Sequence, residues 1–185
     1  MKNGLMHIYY GDGKGKTTAA IGLAIRAAGA GQSVTFCQFM KGNETSELQI
    51  LKDIPNIQII RSEREYPFFQ QMTEAKKREI TVVHNQIIKK LIAKNQTKAA
   101  VEPSQLHTPS DMIILDELTY PLLWDLIDKE AVKELVKMCR EKVEIVITGR
   151  SPEPWLMDCA DYITEMKKQK HPFDYGMDAR LGIEY

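Results

Sequence analysis

Short apolar runs alternate along the chain with longer stretches in which apolar residues recur every three or four positions. The apolar runs are rich in β-branched residues and predict strands that are buried on both faces. They lie at residues 5–10, 33–39, 57–60, 112–116 and 143–149, with a weaker run at 161–166. The longer stretches predict helices at residues 16–31, 73–96 and 129–140. This alternation predicts an α/β fold with a mainly parallel β-sheet and helices on both faces.

Residues typical of helix ends agree with these boundaries. Thr73 and Asp128 precede the second and third predicted helices and are expected to be N-caps. Gly29 and Gly31 are placed to end the first helix. Residues 97–111 contain proline and serine without helical periodicity, and they are interpreted as a loop before a central strand.

Composition narrows the class of protein. A length of 185 residues is typical of a single domain, here residues 1–185. Lys plus Arg and Asp plus Glu both number 25, so the formal charge of zero does not indicate a nucleic-acid-binding protein. Three separated cysteines indicate neither a disulfide framework nor a zinc site, and they favour a reducing cytoplasm. No apolar run reaches the length of a membrane span.

The most specific motif is glycine-rich and lies between the first predicted strand and the first predicted helix. It consists of Gly11, Asp12, Gly13, Lys14, Gly15, Lys16, Thr17 and Thr18. Glycines allow successive backbone N–H groups to surround anionic oxygens, and the start of a helix adds further unpaired N–H groups. The motif therefore predicts a phosphate-binding loop in which Lys16 neutralises phosphate charge and Thr17 binds Mg²⁺.

A second motif follows the apolar run at residues 112–116. Asp116 and Glu117 are predicted to lie at the carboxyl end of a strand, which is the sheet edge where ligands bind in open α/β folds. Carboxylates at this edge hold Mg²⁺ directly or through water. The predicted metal site therefore consists of Thr17, Asp116 and Glu117.

The phosphate loop is one residue shorter than the general pattern. That pattern places four residues between the first glycine and the Gly-Lys pair, whereas Gly11 and Gly15 enclose three. Chemistry at the γ-phosphate of ATP is therefore not assumed from the motif alone.

The chain resembles the P-loop type of bacterial ATP:corrinoid adenosyltransferases in five segments: "YYGDGKGKTTAAIGLAIRAAG", "VTFCQFMKG", "IILDELTYPLLWDLI", "VITGR" and "KHPFDYGMDARLGIEY". The similarity runs from about residue 5 to residue 185 and is interrupted mainly between residues 43 and 110. It implies a RecA-like P-loop fold and a homodimer. It also implies transfer of the 5′-deoxyadenosyl group of ATP to the Co(I) of a reduced corrinoid, with Mg²⁺ or Mn²⁺ present and triphosphate as the leaving group. A flavoprotein is the reductant that the resemblance suggests.

The resemblance also implies roles for individual residues. Lys16, Thr17 and Glu117 would be the catalytic residues, with Lys14 adding positive charge along the triphosphate. Arg26 matches a family arginine and either contacts phosphate or is a solvated charge on the helix.

The region that should contain the family's aromatic residues departs from the family pattern. Family members use aromatic side chains to displace the axial base of Co(II), which makes reduction to Co(I) easier. Tyr66, Phe68 and Phe69 are the candidates here, and core packing is an equally good interpretation of them. Only four residues precede the first predicted strand, so closure of the site is expected to come from a segment other than an N-terminal lid or to be weaker.

Several polar residues have two interpretations. Lys41 and Arg150 follow strands at the same sheet edge and either contact a substrate or form ion pairs. His171 and Asp174 fall in a family-like segment and are weaker candidates for shaping the site. The other histidines, His7, His84 and His107, are not spaced as metal ligands. Trp124 and Trp155 are interpreted as packing residues.

Two alternatives to the transferase remain at this point. In a P-loop ATPase or small-molecule kinase, Glu117, which follows Asp116, would polarise an attacking water or position an acceptor hydroxyl group. A non-catalytic module would bind ATP and corrinoid and deliver the corrinoid without turnover.

Overall fold

A computed structural model describes residues 4–42, 45–96 and 109–185. Six parallel strands form one sheet in the order β3-β2-β4-β5-β1-β6. The strands are β1 (Met6–Tyr10), β2 (Val34–Gln38), β3 (Ile57–Arg61), β4 (Met112–Asp116), β5 (Glu144–Thr148) and β6 (Tyr162–Glu165). All six lie within one or two residues of the predicted apolar runs, so the prediction of an α/β fold with a parallel sheet is confirmed.

The three predicted helices are also present, and three short ones were not predicted. The helices are α1 (Lys16–Gly29), α2 (Ser46–Leu51), α3 (Glu74–Gln96), α4 (Thr119–Leu123), α5 (Lys129–Cys139) and α6 (Pro154–Cys159). The unpredicted α2, α4 and α6 have only five or six residues each. An amphipathic pattern needs two or more turns to be visible, so such short helices leave no periodic signal.

Alternate residues of the strands pack on opposite faces of the sheet. On one face, Ile113 and Leu115 of β4 belong to a core cluster with α3 and α5. On the other face, Met112 and Ile114 pack with the small residues of α1. Because both faces are covered, the central strands are apolar at nearly every position, as their sequence predicted.

The predicted helix ends are confirmed by hydrogen bonds. The Asp128 carboxylate accepts from the backbone N–H groups of Glu130 and Ala131 at the start of α5. The Thr73 hydroxyl accepts from the Lys76 N–H at the start of α3. Gly31 has φ 84° and donates to the Ala28 carbonyl, which ends α1 in the left-handed conformation that glycine adopts without strain.

The remaining segments connect these elements. Most of the predicted loop at residues 97–111, including His107, lies outside the described residues. The tail after β6 is irregular apart from one short 3₁₀ turn at Pro172–Tyr175, as expected. None of the helices in the described part of the chain combines the length and the apolar character needed to cross a membrane.

Candidate functional site

The glycine-rich loop lies where the sequence placed it, between the carboxyl end of β1 and the start of α1. Gly15 has φ 115°, and α1 begins at Lys16. The loop packs closely against the end of β6: the Gly13 N–H donates to the Met166 carbonyl oxygen at 2.6 Å, and a Cβ on Gly11 or Gly13 would lie 2.5 Å from that oxygen. The close approach of the two backbones therefore requires glycine at positions 11 and 13, whether or not a ligand is bound.

Lys16 is held inside the loop. Its ammonium group donates to the Gly13 carbonyl at 2.6 Å, and only 9% of the residue is exposed. Burial lowers its pKa from the usual value, and the nearby Glu117 carboxylate opposes this shift. A partly desolvated ammonium at the start of a helix provides concentrated positive charge for an anionic ligand.

Asp116 ends β4 and is fully buried in a network of hydrogen-bond donors. Its Oδ1 accepts from the hydroxyls of Thr17 and Thr148, both at 2.8 Å. Its Oδ2 accepts from the Lys41 ammonium at 2.9 Å. Burial lowers the pKa of Lys41, but the attraction and hydrogen bond of Asp116 outweigh this, so the pKa is raised overall. The carboxylate of Asp116 is thus already engaged on both oxygens.

Glu117 differs from its neighbour in this respect. Its backbone lies in the left-handed region at φ 62°, and its N–H donates to the Thr148 hydroxyl at 2.9 Å. Its Oε2 is buried without a hydrogen-bond partner among the described residues. Burial raises the pKa of this carboxyl group, and the charge of Asp116 raises it further. A left-handed backbone that holds a carboxylate with one buried, unpartnered oxygen is typical of a functional site.

These side chains fit a divalent cation. The Thr17 hydroxyl donates its proton to Asp116, which leaves its oxygen lone pairs available as ligands. The free Oε2 of Glu117 supplies a second oxygen. In the described residues no group of three or more His, Cys, Asp or Glu side chains is placed to hold a metal ion. Two oxygen ligands, one hydroxyl and one carboxylate, match the few protein ligands that Mg²⁺ usually takes beside water and phosphate. Asp116 fits a supporting position behind Thr17 better than direct coordination.

Thr148 was not predicted from the sequence, although it follows the apolar run of β5 directly before Gly149 and Arg150. Its one hydroxyl donates to Asp116 and accepts from the Glu117 N–H. Its position at the carboxyl end of a strand is a signal that could have identified it.

We expect Thr148→Val to lower kcat/KM about 10- to 100-fold, since the Glu117 backbone would lose its acceptor and misplace the carboxylate. The Glu117 N–H would be left without its acceptor, which costs about 1–3 kcal/mol of folding free energy, whereas Asp116 would keep Thr17 and Lys41 as donors. Thr148→Ser is the matched control, because it keeps the hydroxyl. Steady-state kinetics and thermal unfolding check both effects; equal activity of the two variants would contradict the assigned role.

Residues 12–18 of the phosphate loop and Glu117 border a cleft of about 1090 Å³, and Asp116 lies buried behind them. The same cleft is lined by four aromatic residues, which we call the aromatic wall: Tyr66, Phe68, Phe69 and Trp124. Phe69 stacks on Trp124 with ring centroids 4.4 Å apart, and Phe68 is 79% exposed. The three predicted aromatics therefore border the same cleft as the phosphate loop. Trp124 was interpreted as a packing residue, and the structure adds it to the cleft.

The other candidates occupy different places. Arg26 is exposed on α1 and does not line the cleft; at 1.5 Å per residue it lies about 15 Å along the helix from Lys16. Lys41 lines the cleft and forms the ion pair that was one of its two interpretations. Arg150 and His171 line both the cleft and an adjoining cavity of about 500 Å³. Asp174 lines only the second cavity, where Lys168 binds it at 2.9 Å.

The C-terminal segment 182–185 also lines the cleft, which was not anticipated. Lys14 donates to the Ile183 carbonyl at 2.5 Å and lies 3.8 Å from the Glu184 carboxylate. The Ser46 hydroxyl donates to the Tyr185 carbonyl oxygen at 3.0 Å. The tail thus spans from the phosphate loop to the start of α2 and covers part of the cleft.

Comparison with known families and proteins identifies relatives over nearly the whole chain. A family model described as ATP:corrinoid adenosyltransferase BtuR/CobO/CobP matches residues 2–185. A corrinoid adenosyltransferase CobA of Salmonella typhimurium is 32% identical over 184 residues, which cover 100% of this chain and 87% of that protein. A corrinoid adenosyltransferase of Escherichia coli K12 is 30% identical with the same coverage.

Solved structures show the same fold at low sequence identity. The flagellar accessory protein FlaH from Methanocaldococcus jannaschii superposes with a TM-score of 0.53 at 17% identity, covering 88% of this chain and 70% of that one. The KaiC-like protein PH0186 from Pyrococcus horikoshii gives a TM-score of 0.52 at 12% identity, covering 91% and 74%. The predicted RecA-like P-loop fold is confirmed.

Proposed function

Because the chain belongs to the ATP:corrinoid adenosyltransferase family BtuR/CobO/CobP, we propose that its cleft binds ATP and a reduced corrinoid side by side. The chain is an enzyme, a transferase that moves the 5′-deoxyadenosyl group of ATP to the cobalt of a corrinoid. The proposal concerns which of its residues perform this transfer and how.

The observation that carries the proposal is one cleft with two unlike sides. The phosphate loop, Lys16 and the free carboxylate of Glu117 form a charged side. The aromatic wall forms an apolar side. A triphosphate matches the first side, and the flat, largely apolar corrin ring matches the second. The 5′-carbon of ATP would lie between them.

The chemical step is a displacement at that carbon. Co(I) donates an electron pair to C5′ and becomes formally Co(III), while the bond from C5′ to the triphosphate oxygen breaks. The pair from Co(I) forms the new Co–C bond, and triphosphate leaves with the electron pair of the broken C–O bond. The nucleophile belongs to the substrate, so the protein needs no nucleophile or general base of its own. Its tasks are to align cobalt, carbon and leaving oxygen, and to stabilise the charge that develops on the triphosphate.

In this assignment, Gly11 to Thr18 enclose the triphosphate and Lys16 is the principal charge on the leaving oxygen. Its ammonium now binds the Gly13 carbonyl, so a phosphate oxygen would compete with that bond for the same proton donors. Thr17 and Glu117 would hold Mg²⁺ or Mn²⁺, which when bound neutralises part of the triphosphate charge. The Lys14 ammonium is bound to the Ile183 carbonyl of the C-terminal segment. That hydrogen bond must break before the ammonium binds phosphate.

The aromatic wall has a separate proposed task. Tyr66, Phe68 and Phe69 replace the family's aromatic residues and crowd the lower axial position of Co(II), which removes the axial base and makes reduction easier. Phe69 is held by Trp124, whereas Phe68 is exposed to the cleft. Phe68 is therefore the side chain with the freedom to contact the corrin.

We expect Phe68→Ala to slow transfer about tenfold when the reaction starts from Co(II) corrinoid with a reductant, and less than about threefold when Co(I) is supplied chemically. Phe173→Ala is the matched control, because Phe173 is equally exposed but lines the second cavity instead. Equal losses from both starting states would make Phe68 a packing residue.

The whole assignment is tested by incubating the protein with ATP, Mg²⁺ and reduced corrinoid. We expect the corrinoid spectrum to change to that of an adenosylated form, with one triphosphate released per corrinoid. Release of ADP or single phosphate without a corrinoid product would support the ATPase or kinase alternative. Binding of both substrates without any product would support the delivery module.

Further features follow from the family resemblance and remain proposals. We propose that residues 1–185 form one catalytic domain that works as a homodimer, receives electrons from a flavoprotein and operates in the cytoplasm. The three cysteines are free, and two of them are buried, which suits a reducing compartment. No residue assignment above depends on these features.

A further inference from the structure

His84 is a buried histidine that the reaction outlined above does not use. It lies on α3 and is 1% exposed. Burial lowers its pKa to about 4, so the imidazole is neutral near pH 7 and carries one N–H group. A neutral imidazole can donate at one nitrogen and accept at the other, and both nitrogens have a partner here.

The two partners of His84 belong to different segments. Nδ1 lies 2.9 Å from the Leu126 carbonyl oxygen and donates to it, since a carbonyl can only accept. Nε2 accepts from the Met40 N–H at 3.3 Å. Met40 follows β2 and Leu126 follows α4, so one side chain on α3 connects two loops that are 86 positions apart in the sequence.

Each of these segments contributes a lining residue to the cleft: Met40 in one, and Trp124, two residues before Leu126, in the other. Met40 has φ 59°, a left-handed conformation that is costly for a long side chain and needs a fixed partner to persist. The next residue, Lys41, forms the ion pair with Asp116. Leu126 is two residues from Trp124, and it packs in a small apolar cluster with Met72 and Ile80. The residues that pack against this cluster from the cleft side are Met40, Tyr66, Phe69 and Trp124.

We propose that His84 is a positioning residue for adenosyl transfer, which connects the Met40–Lys41 segment on the charged side to the Leu126 segment beneath the aromatic wall. By bonding both loops, it sets the distance between the Lys41–Asp116 ion pair and the stacked Phe69–Trp124 pair. The expected effect of His84 on transfer rests on the proposed function. The two hydrogen bonds that connect the loops do not depend on it. Neither a lone hydrophobic side chain nor a single hydrogen bond would hold both segments.

Two substitutions at His84 and one control test this. Leu fills much of the volume without either hydrogen bond. Gln offers one donor and one acceptor about as far apart as the two imidazole nitrogens. Leu91→Ala is the control for simple loss of stability, because Leu91 is fully buried on the same helix but belongs to the core cluster on the sheet.

The first readout needs no substrate. Hydrogen exchange of the Met40 amide, measured by NMR on the full chain, should be at least about tenfold faster in His84→Leu than in the wild type. It should return to within about threefold in His84→Gln and change less than about twofold in Leu91→Ala. The second readout is kcat/KM with chemically supplied Co(I), where His84→Leu should lose about tenfold, His84→Gln should recover most of it, and Leu91→Ala should lower Tm without this loss.

Two results would overturn the proposal: a His84→Leu variant that only loses Tm, or a His84→Gln variant as impaired as His84→Leu in both readouts. If the His84→Leu variant does not fold, the His84→Asn variant takes its place in both experiments. The asparagine side chain is too short to reach both partners. Equal behaviour of the His84→Asn and His84→Gln variants would then overturn the proposal. If the wild type transfers no adenosyl group, the proposed function fails, while the Met40 exchange still shows whether the connection exists.

Discussion

Replacing Lys16 with alanine should lower the rate of adenosyl transfer about a thousandfold, the upper range for removing one preorganised charged group from a developing negative charge. The reason is geometric. Lys16 opens α1, is almost fully buried, and has its ammonium inside the loop beside the Gly13 carbonyl. When triphosphate leaves, its negative charge rises next to a cation that has little water around it, where attraction is strongest.

Lys14→Ala is the matched control for Lys16→Ala. Both residues are lysines of the same loop, but Lys14 is exposed and bound to the tail through the Ile183 carbonyl. Lys14→Ala should lower the rate of adenosyl transfer less than about tenfold, since solvent screens an exposed charge. Single-turnover transfer from Co(I), with circular dichroism to check the fold, measures both variants. A Lys16→Ala enzyme within tenfold of the wild type would contradict the proposed triphosphate site.

Glu117→Gln should lower kcat about 100-fold or more at saturating ATP, because the neutral amide is a poor ligand for Mg²⁺ in place of a carboxylate. The variant keeps the size of the side chain and the backbone contact with Thr148. Raising the Mg²⁺ concentration should recover part of the loss. A variant that needs no more Mg²⁺ than the wild type would contradict the proposed metal site.

The same substitution should make the protein more stable at neutral pH. Burial raises the pKa of Glu117, which means that the folded state disfavours the ionised form. The contribution of Glu117 to the stability of the wild type is therefore greatest below the usual glutamate pKa and is lost as pH rises through the raised value. Glu117→Gln carries no such penalty, so its Tm advantage over the wild type should grow from acidic to neutral pH. Parallel plots of Tm against pH for the two proteins would show that ionisation of the buried Glu117 does not destabilise the folded state.

The sequence predicted the strands and the long helices because each of them has a local cause. A strand covered on both faces is apolar at nearly every position, as in Met112–Asp116, and an amphipathic helix repeats its pattern over several turns, as in Glu74–Gln96. The short helices were not predicted because five or six residues do not repeat a pattern.

The sequence also located the phosphate loop and the acidic pair, since each is a compact motif at the end of a strand. It did not separate the roles of Asp116 and Glu117. That difference depends on Thr148 and Lys41, whose side chains engage Asp116 and leave the Glu117 Oε2 without a partner. Neighbours from three different strand ends are not adjacent in any stretch of sequence.

By itself, the sequence determined the fold class and the place of the loop, because backbone periodicity and glycine conformations act over a few residues. The family resemblance came from five matching segments of the chain. Only the tertiary structure decided that Trp124 joins the aromatic wall, that Lys14 is bound by the tail, that Arg26 lies away from the cleft, and that His84 connects two loops. Each of these depends on how distant segments meet across the carboxyl edge of the sheet. These tertiary contacts arise from packing of the whole core, and no local sequence pattern predicts them.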